Sequence, residues 1–127
     1  MSKRIKESKL EGFMKIRSEK SIPTIVQDKK TGLVLMMEYS NEKSFEKTME
    51  TGYAAFWCKS RNVVYTRGEY SGNLLRILEV LTDSSNEALI YRVKSVNGKP
   101  SYTDRNGKKK DSEFYLKVSS DKSLKEI

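Results

Sequence analysis

Between Asn41 and Gly52 the chain carries a helix with both ends marked, and nearly everywhere else turn residues cut it into short runs rich in β-branched and aromatic side chains. Asn41 offers a side-chain oxygen for the N-cap, and Glu42 to Glu50 are good helix formers. Phe45, Thr48 and Met49 fall on one face, and Gly52 suits the left-handed C-cap. Further upstream, Leu10, Phe13 and Met14 have helical spacing, but Phe13 to Arg17 equally begins an extended segment. One helix or two among many strands predicts an α+β domain of mostly antiparallel strands.

The strands follow from the punctuation. Ile22 to Gln27 is β-rich, with Pro23 near its start, and the turn Asp28 to Gly32 leads into Leu33 to Met37, which predicts a hairpin. Tyr53 to Lys59 and Val63 to Thr66 flank a turn at Arg61-Asn62, and Gly68 and Gly72 bracket the loop RGEYSGN. Leu74 to Leu81 and Ala88 to Val96 flank the turn-prone Thr82 to Asn86 and should pair. Asn97-Gly98 marks a tight turn, Ser101 to Ser112 is polar and lysine-rich, and Glu113 to Val118 reads as a last strand.

A length of 127 residues fits a single domain over 1–127, with 1–12 and 119–127 expected as flexible tails. The formal charge of +8 favours anionic partners without choosing among them. Histidine is absent, which removes both the commonest general base near neutral pH and the commonest metal ligand. A lone Cys58 cannot form an internal disulfide, and its apolar-aromatic surroundings predict a buried thiol. The absence of a long apolar run or a signal-like start leads to the expectation of a cytoplasmic protein.

One constellation could carry binding chemistry: Lys59-Ser60-Arg61 followed by Arg67-Gly68-Glu69-Tyr70-Ser71-Gly72-Asn73. Glycines let backbone amides approach an anion, Ser and Asn add short neutral hydrogen bonds, and Lys and Arg add charge-assisted ones. From composition alone an exposed turn with ordinary basic residues is the better explanation, because they match no phosphate-loop signature.

The order and spacing of IPTIVQD (Ile22 to Asp28), LVLMMEYSNE (Leu33 to Glu42), EKTMETG (Glu46 to Gly52), FWCKSR (Phe56 to Arg61) and RGEYSGN (Arg67 to Asn73) resemble the phosphoribosyl-AMP cyclohydrolase family, over about Phe13 to Tyr115. The resemblance implies an obligate dimer that opens the adenine ring of phosphoribosyl-AMP in histidine biosynthesis, using zinc and magnesium at sites shared between subunits. It also implies where ligands would lie. The family's Asp-Cys-Asp-x-Asp motif corresponds to Asp83-Ser84-Ser85-Asn86-Glu87, so Ser84 replaces a zinc thiolate and only Asp83 and Glu87 survive as vestigial carboxylates. The second zinc motif corresponds to Pro100 to Arg105 and Ser112 to Tyr115. Tyr102 and Glu113 take the places of its cysteines, and Asn106 to Lys110 is inserted between.

Groups suited to a ribose phosphate thus persist while metal donors are lost, and the expected function is a non-catalytic binder with no cofactor, no metal and no catalytic residue. Its ligand would be an adenine nucleotide of the phosphoribosyl-AMP or ADP-ribose type, cyclic or conjugated forms included. A viral sponge for the alarm nucleotides of TIR-domain (Thoeris) defence would fit that class, as a homodimer or higher oligomer. The expected ligand residues are Lys59, Arg61, Arg67, Glu69, Ser71, Gly72 and Asn73 for phosphate and ribose, Trp57, Tyr65 or Tyr70 near the base, and Thr103 and Arg105 beside the insertion. Two alternatives stand beside this. One is a metal-independent or altered-chemistry cyclohydrolase using Glu69, Asp83, Glu87 or Glu113 as acid or base. The other is an RNA- or DNA-binding module with Tyr65, Tyr70 and Tyr102 as stacking surfaces.

Overall fold

The computed structural model describes residues 21–98 and 101–127. Strand β1 (Ile22–Asp28) turns back into β2 (Val34–Ser40), as the hairpin signals predict, and the turn is closed by Asp28 Oδ2, which accepts from the amide and hydroxyl of Thr31, both at 2.8 Å. Helix α1 (Glu42–Thr51) follows at once. Asn41 caps it by accepting from the Ser44 amide at 2.8 Å, while the Ser44 hydroxyl accepts from the Asn41 amide at 2.9 Å. Gly52 ends it at φ +80°. The buried face is Ser44, Phe45 and Thr48; Met49, expected inward, is 47% exposed. The small Ser44 is taken inside because the capping pair ties it to Asn41.

Strands β3 (Ala55–Cys58) and β4 (Val63–Thr66) form a second hairpin, while β5 (Leu75–Thr82) and β6 (Leu89–Ser95) pair as expected. The main sheet has the order β2-β1-β6-β5, antiparallel except where β6 lies parallel to β1. One parallel pair arises because the β5–β6 hairpin inserts β6 beside β1. Two-residue periodicity puts Ile22, Thr24 and Val26 of β1 and Leu89, Tyr91 and Val93 of β6 on the same buried face. Helix α1 and the β3–β4 hairpin cover that face, with Phe56 against Tyr91 (5.9 Å, stacked) and Tyr65 (6.1 Å, tilted). Thr48 joins the two covering elements: its hydroxyl donates to the Ala55 carbonyl (3.2 Å) and accepts from the Ala55 amide (2.9 Å).

The polar stretch after Ser101 is more ordered than its composition suggests. It forms a small hairpin of β7 (Tyr102–Thr103) and β8 (Lys109–Lys110), closed by Asp104 Oδ1, which accepts from the amides of Asn106 and Lys108, both at 2.8 Å. The insertion is therefore an ordered hairpin. Residues 119–127, expected as a tail, contain β10 (Leu124–Glu126), paired with β9 (Leu116–Val118) and tied to the insertion by a 2.8 Å contact between Lys110 and Glu126. The last predicted strand, Glu113 to Val118, is correspondingly shorter. The predicted tail 1–12 and the helical spacing of Leu10 to Met14 lie outside the described residues.

Candidate functional site

Strand β2 is an edge of the main sheet, and the segment after β8 closes that edge. Ser112 Oγ donates to the Val34 carbonyl at 2.6 Å, and the Glu113 amide donates to the Leu35 carbonyl at 2.8 Å. Glu113 is thereby fixed beside Arg67, which leaves the end of β4 (Nη2 to Oε2, 3.5 Å). The Arg67 guanidinium also lies over the Tyr102 ring, 5.3 Å from its centroid.

These elements frame a cleft of about 380 Å³, within the size range of small-molecule sites. Its lining brings together Arg61, Tyr65, Arg67, Glu69, Tyr70, Ser71 and Asn73 from the sequence-predicted set. Thr66, Gly68, Leu75, Ser101 and Tyr102 complete it. Gly72 belongs to the same loop but faces Asn97. Lys59, Trp57, Thr103 and Arg105 do not line the cleft. Lys59 is exposed in the β3–β4 turn, Trp57 lies opposite Val64 on the hairpin, Thr103 pairs with Lys109, and the Arg105 amide donates to the Tyr115 hydroxyl. A second groove, about 610 Å³, is larger but more apolar, running past Leu33, Leu78 and Val96, and takes in none of the predicted residues.

The loop Thr66 to Asn73 is braced from within. The Glu69 amide donates to the Thr66 carbonyl, Glu69 Oε1 accepts from the Thr66 amide, the Gly72 amide donates to the Gly68 carbonyl, and the Asn73 amide donates to Ser71 Oγ. Three of the amides expected to cradle phosphate are thus already satisfied, and Glu69 acts as a turn clasp. The charged groups of the set that line the cleft without closing the loop are Arg61 and Arg67, and Asn73 lines it with them. Tyr70, 97% exposed, is free to stack on a ligand but packs on little of the protein.

Sequence reasoning missed Glu38. It lies part-buried on β2, with its carboxylate near the Tyr65 hydroxyl and close enough to Arg67 and Glu113 to feel both charges. Burial raises its pKa above the ordinary glutamate range; Tyr65 opposes that, Glu113 adds to it, and Arg67 opposes it. Burial, aided by the nearby Glu38 charge, pushes the Tyr65 hydroxyl up to about 12, and burial does the same for Tyr102, also to about 12. The available signal was period-two alternation in VLMMEYS, which places Glu38 on the face of Met36 and Ser40.

The zinc and magnesium implied by the resemblance do not fit the donors present. Asp83, the surviving carboxylate of the first motif, accepts from the amides of Glu87 (2.7 Å) and Ala88 (3.1 Å), and these bonds hold its pKa below the usual range. It sits at the far end of β5 from Leu75, roughly 25 Å along the strand from the cleft. Of the residues in cysteine positions, Tyr102 offers a phenol that stays protonated and Glu113 is engaged by Arg67. Among the described residues no three His, Cys, Asp or Glu side chains gather to hold an ion. Cys58 is part-exposed rather than buried as predicted, because it ends β3 beside the turn; its thiol contacts Ser60 Oγ at 3.5 Å. No helix among the described residues is long and apolar enough to cross a membrane.

Comparison with known proteins gives a coherent result. The family model described as phosphoribosyl-AMP cyclohydrolase matches residues 36–106, more than half of the chain and most of the cleft. The phosphoribosyl-AMP cyclohydrolase of Listeria innocua is 44% identical over 72 residues, covering 57% of this chain and 69% of that protein. The corresponding protein of Desulfotalea psychrophila is 37% identical, covering 72% and 75%. The histidine biosynthesis bifunctional protein HisIE of Aquifex aeolicus is 40% identical over 71% of this chain, a match that spans only 44% of its own length. These findings overturn the expectation of a non-catalytic binder. The relatives that match across the cleft are named as enzymes, the sponge and anti-defence roles find no support in them, and the alternative of a cyclohydrolase accords with them.

Proposed function

The chain belongs to the phosphoribosyl-AMP cyclohydrolase family, and on that footing we propose that it is a hydrolase of the cyclohydrolase class that adds water to the adenine ring of phosphoribosyl-AMP through side-chain acid–base chemistry. The observation that carries this reading is the cleft itself. Arg61, Arg67 and Asn73 line it as groups suited to phosphate and ribose, Tyr65 and Tyr102 line it as aromatic surfaces, and the part-buried Glu38 carboxylate lies near Tyr65. Polar end, apolar flank and proton acceptor are the three parts such a reaction needs from a protein.

Substrate binding should be dominated by charge. Arg61 and Arg67 meet the 5′-phosphates, and because Arg67 is already paired with Glu113, a phosphate must compete with that carboxylate for it. The base would then stack between Tyr65 and the exposed Tyr70. The homodimer implied by the resemblance is part of the same proposal, with light scattering of the purified chain as its check.

The deciding experiment follows phosphoribosyl-AMP turnover by absorbance and mass spectrometry, with and without a chelator. Ring opening that survives chelation supports the reading. Tight binding of the substrate with no product under any condition overturns it.

A further inference from the structure

Arg67 differs from Arg76 and Arg92 in how its guanidinium is used. Arg76 donates to the Tyr53 hydroxyl, and Arg92 donates to both Gln27 and Glu79. The Arg67 guanidinium donates no hydrogen bond to any described residue, although its backbone amide is fixed on the Ala54 carbonyl at 3.0 Å. What it has instead is a ring and a counter-charge. Its central carbon lies over the Tyr102 ring, 5.3 Å from the centroid, and Glu113 stands 3.5 Å from Nη2, beyond the length of a charge-assisted hydrogen bond.

We propose that Tyr102 is a positioning residue for anion binding in the cleft: its ring holds one face of the Arg67 guanidinium and presents the unused N–H donors to a phosphate, with Glu113 balancing the charge until the phosphate arrives. This rests on the reading of the cleft as a phosphoribosyl-nucleotide site and names the residue that shapes its phosphate subsite.

A guanidinium is a planar fork with its donors at the edge, so a ring that covers the face fixes the plane without consuming a donor. A carboxylate at hydrogen-bond distance would do the opposite. Tyr102 is itself firmly held. It is buried in the core cluster, and its backbone pairs with Lys110 in the β7–β8 hairpin, which Glu126 ties down in turn at 2.8 Å. Its hydroxyl has no hydrogen-bond partner among the described residues, so the site uses the face of the ring and not the phenol. Burial pushes that hydroxyl up to about 12, so no phenolate competes with a phosphate for Arg67.

Arg61, Arg67, Asn73 and Tyr102 all line the one cleft, which puts a second cation and a neutral donor in the same site. A phosphate carrying up to two charges attracts the guanidinium more strongly than the single charge of Glu113 does, so the ligand displaces the carboxylate while the ring keeps its hold.

The test uses the full chain, with calorimetric binding of inorganic pyrophosphate and of phosphoribosyl-AMP measured for wild type, Tyr102→Leu, Tyr102→Phe, Arg67→Ala and the double variant of Arg67→Ala with Tyr102→Leu. Tyr102→Leu should weaken both ligands by roughly three- to tenfold, the scale of a partly desolvated cation–π contact, and Tyr102→Phe should restore most of that loss. In the Arg67→Ala background Tyr102→Leu should cost no further affinity, because the ring acts only through the guanidinium. A purely structural role would weaken binding in both backgrounds. Should Tyr102→Leu fail to fold, Tyr102→pentafluorophenylalanine keeps the shape, removes the ring's attraction for a cation and should reproduce the loss. Affinity that Tyr102→Leu or the fluorinated ring leaves unchanged, or that falls equally with and without Arg67, overturns the positioning role alone. A wild type that binds neither ligand overturns the nucleotide-site reading together with it.

Discussion

Asn97 Nδ2 donates a 2.7 Å hydrogen bond to the Gly72 carbonyl, so a turn following β6 holds the cleft loop from 25 residues away. The contact is exposed, so its net worth is on the order of 1 kcal/mol. Asn97→Ala should lower the thermal midpoint slightly and weaken phosphoribosyl-AMP binding several-fold, because the loop that carries Ser71 and Asn73 loses its outer anchor. Calorimetry reads the second effect directly. Equal affinity in the variant would show that the loop's internal bonds suffice.

Gly68 has the strictest steric demand of the described glycines. Its φ is +83°, and a Cβ there would overlap the carbonyl of Asn73 and press on the Leu74 amide. Gly32 has nearly the same φ with open space around it. Gly32→Ala should therefore cost about 1 kcal/mol of stability, the left-handed penalty alone. Gly68→Ala should cost at least twice that and abolish ligand binding, since the backbone at Asn73 must move. Chemical denaturation of the two variants side by side isolates the packing contribution from the conformational one.

The contrast between those two glycines also shows what was legible in the sequence. Turn residues, the Asn41 cap and the Gly52 stop are local signals, and the strands and helix they bound fall where expected to within about two residues, except that β2 runs on to Ser40 rather than Met37 and β9 begins at Leu116 rather than Glu113. Local signals also marked Gly68 to Asn73 as special. They did not reveal that Glu69 and Ser71 serve the loop's own backbone, because composition cannot distinguish a side chain that binds a ligand from one that binds its own turn. Glu38 was hidden for a different reason: its significance comes from Tyr65, Arg67 and Glu113, far away in sequence, and only the closure of the β2 edge by Ser112 and Glu113 assembles that neighbourhood.

Arg67 pairs with Glu113 and lines the cleft, so on the proposed reading an anionic ligand competes with that carboxylate. The pair is part-exposed, so its own contribution to stability is no more than about 1 kcal/mol. Glu113→Gln should leave the melting temperature nearly unchanged while tightening pyrophosphate binding roughly two- to fivefold at low salt, a gain that shrinks as salt screens the arginine. Arg67→Ala or Asn73→Ala should weaken binding without unfolding the protein. Unchanged affinity in both variants would remove the loop from the account of recognition.

Burial of Glu38 makes a statement about stability as well as chemistry. Its folded pKa lies above the ordinary glutamate value, so folding favours the protonated form. The contribution of this group to stability is full at pH values below the unfolded pKa, near 4.5, and is lost as pH rises through the folded value. A neutral amide in the same place has no charge to desolvate. Glu38→Gln should therefore match wild type near pH 4 and melt at a higher temperature at pH 7 to 8. Differential scanning calorimetry across that range tests it: a wild-type protein that is equally or more stable than the variant at pH 8 would mean that Tyr65 and Arg67 fully compensate the buried charge, and that the Glu38 carboxylate is an ordinary acid.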